Sequence, residues 1–150
     1  MGKMNGQDMK DRVQRFKLKV PSVTDNLYLI RDFIRMVAEK AGFNNEKQEQ
    51  IALAVDEACT NVIKHAYKFN ARRLIDIAIQ IDRQKIKITI TDRGRGFDYS
   101  KLKDPDLKTY IKESRHGGLG IYLIKTLMDD VRYEFNPGIK NQVQLTKYLN

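Results

Sequence analysis

Three groups of residues in this 150-residue chain have types and spacings that can do chemistry. Glu57-Ala-Cys-Thr-Asn61 puts a carboxylate and an amide four residues apart. On a helix that spacing sets both on one face, with Lys64 and His65 near the same side one turn later. A carboxylate can orient a hydroxyl or accept its proton, and an amide oxygen is a hard ligand suited to Mg²⁺. Asp92-Arg-Gly94-Arg-Gly96 follows an alternating strand and puts a carboxylate ahead of two glycines, where the backbone can turn closely around a ligand. A carboxylate there can accept a hydrogen bond from an exocyclic amine such as that of adenine. Gly117-Gly118-Leu119-Gly120 opens a helix with an apolar stripe, and the bare N–H groups and dipole of a helix start attract phosphate. Together, in this order, the groups read as a nucleotide site with a metal.

Each group also has a plainer explanation. The Glu57–Asn61 pair fits an exposed helix face, the Asp92 segment fits a turn closed by the Asp side chain, and the third glycine set fits a hinge. The glycines match neither the G-x-x-x-x-G-K-[ST] phosphate loop nor the first turn of a dinucleotide-binding βαβ unit. Arg115 and His116 stand just before Gly117, and either can meet a terminal phosphate. His65 reads as structural or surface, and Cys59 as a small buried hydrophobe. Two histidines and one cysteine give no zinc set.

The elements that must position these residues are legible in the hydrophobic pattern. Residues 1–11 read as a loose leader, and Phe16, Leu18 and Val20 alternate with basic residues as a strand over Arg12–Val20. Ser22 or Thr24 can cap a helix carrying Leu27, Ile30, Ile34, Val37 and Ala41, stopped by Gly42. Asn44 or Asn45 can cap the next helix, which runs to about Tyr67 with Ile51, Val55, Ala58, Val62 and Ala66 as its buried stripe. Alternating isoleucines at 75, 77, 79 and 81 and at 86, 88 and 90, joined by Asp82-Arg-Gln-Lys85, predict an antiparallel hairpin. Residues 97–116 are polar and weakly patterned, the length and character of a functional lid. A helix over about Gly118–Asp129 buries Ile121, Ile124, Leu127 and Met128. A closing hairpin of Val131–Phe135 and Val143–Leu149 turns at Asn136-Pro137-Gly138. Hairpins with helices on one face predict an α+β fold, a two-layer sandwich with a mostly antiparallel sheet. One domain over 12–150 accommodates all of it.

Bulk properties fit that picture. The sequence is 41% apolar, enough for one packed core, and no apolar run approaches the roughly 20 residues of a membrane span. A basic, polar start with no apolar segment and a lone Cys59 suit the cytoplasm. The net charge of +9 is spread along the chain and reads as solvated or protein-docking surface, not as a nucleic-acid footprint.

Three stretches carry a resemblance to a known family: Val55-Asp-Glu-Ala-Cys-Thr-Asn-Val-Ile-Lys-His-Ala-Tyr67, Thr91-Asp-Arg-Gly-Arg-Gly-Phe-Asp98 and Gly117-Gly-Leu-Gly-Ile-Tyr-Leu-Ile-Lys-Thr-Leu-Met-Asp-Asp-Val131, with the ending Leu145-Thr-Lys-Tyr-Leu149. From about Phe16 to Leu149 the chain resembles the GHKL (Bergerat-fold) ATPase and kinase superfamily. Within it the chain is most similar to the anti-sigma-factor serine kinases of bacterial partner switching. The resemblance implies the histidine-kinase-like ATPase fold, ATP and Mg²⁺ as cofactors, and Glu57 as general base or hydroxyl-orienting carboxylate. It implies that Asn61 holds Mg²⁺ and that Asp92 reads the adenine amine. Gly94 and Gly96 would shape the base pocket, and Gly118 and Gly120, within the Gly117–Gly120 segment that includes Leu119, would support the phosphates. Some relatives carry an arginine before the glycine pair, a neighbourhood that Arg115 and His116 share. Gln142 stands where the wider superfamily often offers a small hydroxyl.

The expected activity is transfer of the γ-phosphoryl of Mg-ATP to a serine or threonine of a STAS-type anti-anti-sigma protein. The chain would also bind and inhibit a sigma factor or another output protein, and family likeness admits a homodimer. The alternative is an ATP-holding anti-sigma module that transfers little or no phosphate. Direct binding of nucleic acid, resting on charge alone, is the weakest reading, and no membrane association is expected.

Overall fold

The computed structural model describes residues 12–95 and 118–150. The leader at 1–11, the lid at 97–116, and the site candidates Gly96, Arg115, His116 and Gly117 lie outside the described residues. Strands β1 (Gln14–Pro21), β2 (Leu74–Ile81), β3 (Lys85–Asp92), β4 (Asp130–Glu134) and β5 (Asn141–Tyr148) form one sheet in the order β1-β2-β3-β5-β4. Every neighbouring pair is antiparallel. Helices α1 (Leu27–Ala41), α2 (Asn45–Asn61) and α3 (Gly118–Leu127) form the second layer, with α2 packed against both of the others. The expected α+β sandwich is the fold observed. Among the described residues no helix is long and apolar enough to cross a membrane.

Strand alternation builds the core. Ile75, Ile77, Ile79 and Ile81 of β2 and Ile86, Ile88 and Ile90 of β3 are all buried, while Asp76, Ala78, Gln80, Lys87 and Thr89 face the other way. Burying each such isoleucine contributes about 1.5–3 kcal/mol relative to exposure, so a one-residue slip in register would be strongly resisted. The β2–β3 turn closes as its acidic residue allows: Asp82 Oδ1 accepts from the N–H groups of Gln84 (2.8 Å) and Lys85 (3.0 Å). Helices meet this face through Ile30, Ile34 and Val37 of α1, Ile51, Val55 and Ala58 of α2, and Ile124 of α3, while Ile121 packs in a smaller cluster with Tyr133 and Phe135.

Several boundaries differ from the sequence expectation. Neither Ser22 nor Thr24 caps α1. Thr24–Asn26 forms a turn of 3₁₀-helix, Asn26 occupies the cap position without a side-chain cap bond, and the buried Ser22 donates its backbone N–H to the Arg73 carbonyl (2.9 Å). Asn44, not Asn45, caps α2, its side chain accepting from the Lys47 N–H (2.9 Å). The expected helix to Tyr67 is α-helical only to Asn61; Val62–Ala66 forms one turn of π-helix, closed by the Tyr67 N–H on the Val62 carbonyl (2.8 Å). Val62, Ile63 and Ala66 of this turn are all buried. α3 stops at Leu127, two residues short of expectation. The Asp129 N–H already bonds to Thr146 of the sheet (2.9 Å), and Lys147 Nζ caps the Leu127 carbonyl (2.6 Å).

Candidate functional site

α2 delivers Glu57 and Asn61 to the same side, facing the first turn of α3. A Cβ built on Gly120 would stand 2.7 Å from Glu57 Oε2 and 4.0 Å from Asn61 Oδ1. Any side chain at Gly120 would therefore displace the carboxylate, so the glycine is what lets the helix start approach it. Glu57 is half-buried, and its pKa is raised by burial and by the adjacent Asp56 charge, against the opposing pull of Lys64. Asp56 itself pairs with Arg31 Nη1 at 2.8 Å.

Asn61 is buried, and its Nδ2 has no hydrogen-bond partner among the described residues. An unsatisfied buried amide costs about 1–3 kcal/mol, a cost that a ligand can offset. Among the described residues no group of three His, Cys, Asp or Glu side chains is placed to hold a metal ion. A divalent ion beside Asn61 would take its amide oxygen as one neutral ligand, with phosphate oxygens and water for others, which suits Mg²⁺. The orphaned Nδ2 is a donor suited to a phosphate oxygen and the amide oxygen is a ligand suited to Mg²⁺, so with the neighbouring carboxylate and the glycine approach the residues fit a Mg-nucleotide.

The second carboxylate sits where β3 ends. Asp92 is 3% exposed, and its Oδ1 accepts from the Gly94 N–H (2.8 Å) and from Asn141 Nδ2 (2.9 Å). Asn141 Nδ2 also donates to the Gly94 carbonyl (2.8 Å), and its Oδ1 accepts from the Asn136 N–H (3.2 Å). Burial raises the Asp92 pKa, while the bonds from Asn141 and Gly94 and the charge of Arg73 pull it down. The Asp-closed turn and the ligand-reading carboxylate are compatible: the turn uses Oδ1, and none of these bonds uses Oδ2. Gly94 packs on the π-turn so tightly that a Cβ there would stand 2.6 Å from the Ala66 carbonyl carbon. Gly94 thus packs the turn after Asp92 against the π-turn that follows Asn61.

Of the sequence candidates, the structure brings together Glu57, Asn61 and Gly120, and separately Asp92 and Gly94. Gly118 opens α3 with Leu119 after it. His65 is half-buried, its pKa lowered by burial and by Lys64, and Cys59 is fully buried with its thiol pKa pushed up by burial.

Two residues escaped the sequence reading. Asn141 lies opposite Asp92 across β3 and β5, a pairing visible only once the register is known. Gln142, the residue singled out in that strand, instead donates to Thr91 Oγ1 (3.1 Å). Tyr67, the last residue of the first motif, accepts from the Arg93 N–H (3.0 Å) and donates to the Leu74 carbonyl (2.8 Å), so its hydroxyl joins the ends of β2 and β3.

This architecture is that of a histidine kinase-like ATPase domain, and the family model of that description matches residues 20–147. The serine-protein kinase RsbW of Bacillus subtilis is 34% identical over 147 residues, covering 95% of this chain and 90% of the relative. The protein of the same name from Staphylococcus aureus is 38% identical over 146 residues, covering 94% and 91%. The chain therefore belongs to the RsbW family of serine-protein kinases, and its nucleotide is ATP. Two solved structures share the fold. The RsbU and RsbW domains of a Mycobacterium tuberculosis protein align with a TM-score of 0.66 at 14% identity, over 91% of this chain and 32% of that one. The SiaB–SiaC complex from Pseudomonas aeruginosa aligns at 0.59 and 13%, over 95% and 94%.

Proposed function

We propose that the chain transfers the γ-phosphoryl of Mg-ATP to a serine or threonine of a STAS-type anti-anti-sigma protein, and that it holds a sigma factor or another output protein until that exchange. The observation that carries this reading is the approach of Gly120 to Glu57 Oε2 beside the unpartnered Asn61 amide. In this reading Glu57 is the base, Asn61 the metal ligand and the start of α3 the phosphate cradle of one site.

Phosphoryl transfer asks the protein mainly for positioning and neutralisation of charge. Glu57 orients the acceptor hydroxyl or takes its proton; burial moves its pKa up toward the range where a general base works well. Asn61 holds Mg²⁺ through its amide oxygen, and the ion, when bound, neutralises charge on the phosphates. Asp92 accepts from the adenine amine, with Gly94 and Gly96 shaping the base pocket. Gly117, Gly118, Leu119 and Gly120 offer backbone N–H groups to phosphate, and Arg115 or His116 meets the terminal one. The reading takes 12–150 as one ATP-binding domain with a lid at about 97–116, carries with it a cytoplasmic setting, and admits a homodimer.

Phosphate placed on the antagonist at the docking surface would loosen it by repulsion and desolvation, so partner exchange follows from the same chemistry. The test is incubation with labelled Mg-ATP and candidate STAS-type proteins. Label on a serine or threonine of one of them is expected; nucleotide binding with no transfer to any of them would instead make the chain a nucleotide-holding module.

A further inference from the structure

A pocket of about 280 Å³ shares Gly94 and Ala66 with the packing described above, but neither Glu57, Asn61, Asp92 nor Gly120 lines it. Its walls carry the guanidinium-bearing residues Arg73, Arg93 and Arg95, together with Tyr67, Asn70 and Gly138. These cations are held in place by the fold. The Arg73 guanidinium stacks over the Tyr67 ring, 4.9 Å from its centroid, and its Nη2 donates to the Arg93 carbonyl (2.9 Å). Arg95 lies across the β4–β5 turn at Gly138, where φ is +80° and a Cβ would stand 2.7 Å from the Arg95 Cζ. That turn is tied back by the Gly138 N–H on the Gly94 carbonyl (3.0 Å).

Charge balance in the pocket is incomplete. Arg93 Nη1 is engaged by Asp76 Oδ2 at 3.3 Å. Among the described residues, no carboxylate forms an ion pair with Arg73 or Arg95. Two guanidinium groups with no carboxylate ion-pair partner among the described residues, one stacked on Tyr67 and one beside the Gly138 turn, offer donor forks of the kind that bind a doubly charged oxyanion in bidentate fashion.

We propose that this pocket is a second anion site, distinct from the ATP site, that takes the phosphate of a small phosphomonoester. Its volume, near the lower end for small-molecule sites, holds the phosphate and a few further heavy atoms. The site meets the nucleotide site through Gly94, which lines it, whose N–H donates to Asp92 Oδ1 and whose carbonyl accepts from the Gly138 N–H. An anion that draws Arg95 and the Gly138 turn inward shifts the turn that holds Asp92. ATP is then bound more weakly, by about fivefold at saturation, the scale of ordinary coupling between sites. The coupling rests on Asp92 as the adenine-amine acceptor; the anion site does not.

Amide NMR of the full chain, titrated with inorganic phosphate and with O-phosphoserine at constant ionic strength, tests the site. Saturable shifts are expected at Tyr67, Arg73, Arg95 and Gly138, and Arg73→Gln and Arg95→Gln should each weaken binding about tenfold, a loss of about 1.4 kcal/mol. Arg95 is exposed, so its variant stays informative should Arg73→Gln disturb the fold. Shifts confined to the first turn of α3, equal shifts with chloride, or tighter binding of citrate than of either phosphate would overturn the proposal. Calorimetry with ATP reads the coupling. A weakening that levels off supports two linked sites. An apparent Kd that climbs without limit as phosphate is raised marks one shared site and overturns the proposal, and an unchanged Kd removes the coupling alone.

Discussion

Asn141 Nδ2 donates both to Asp92 Oδ1 (2.9 Å) and to the Gly94 carbonyl (2.8 Å), so one amide on β5 fixes the carboxylate and the turn that follows it. Asn141→Ala would leave a buried carboxylate with one fewer donor. The expected loss is about 1–3 kcal/mol of folding stability, together with weaker ATP binding. Urea unfolding and calorimetry read the two effects; unchanged ATP affinity would separate Asn141 from the base pocket.

Gly120→Ala tests the helix approach. Alanine is better than glycine inside a helix by about 1 kcal/mol, so propensity alone predicts a slightly more stable protein. The added methyl must push Glu57 aside. Misplacement of about 1 Å at reacting groups costs on the order of 100-fold in rate. A folded Gly120→Ala protein with ordinary transfer activity would show that Glu57 does not act from where it stands.

Glu57→Gln should retain nucleotide and lose transfer by about 10²–10⁴-fold, the usual contribution of a general base. Its stability should move the other way. A carboxyl whose folded pKa lies above its unfolded pKa binds more protons when folded, so its contribution is fully present below the unfolded pKa. It is lost as pH rises through the folded value. Wild type should therefore fall in Tm relative to Glu57→Gln as pH rises from acid toward neutral, while transfer activity climbs over the same window. Parallel melting curves at every pH would remove the raised pKa from the account.

Asn61→Ala removes an amide that has no partner among the described residues, so stability should hold or rise slightly. Phosphoryl transfer should drop, and the Mg²⁺ concentration needed for half-maximal activity should increase. An unaltered Mg²⁺ titration curve would argue that the ion sits elsewhere.

Asp92→Asn keeps an oxygen for Asn141 and Gly94 while removing the charge, so the fold should survive. Discrimination of ATP over GTP should shrink, since an amide can turn a donor toward the guanine oxygen. Competition binding with the two nucleotides checks this; equal preference before and after would place base recognition away from β3.

Much of this protein is written along the chain itself. The isoleucine alternation set two strands and their buried face, and the Glu57–Asn61 spacing set two side chains on one side of α2, because both depend only on the local repeat of strand or helix. The burial of Cys59 followed from the usual fate of a free cysteine. Tertiary structure decided the rest. Asn141 meets Asp92 only through the β3–β5 register, the π-turn at Val62–Ala66 packs against Gly94 beyond the end of β3, and Gly120 reaches Glu57 only when α3 packs on α2. Periodicity is a property of neighbouring residues and can be read from their order. Register, a widened turn and a helix-to-helix approach are set by packing between segments far apart in sequence, where many arrangements share the same local pattern and only the lowest in free energy is populated.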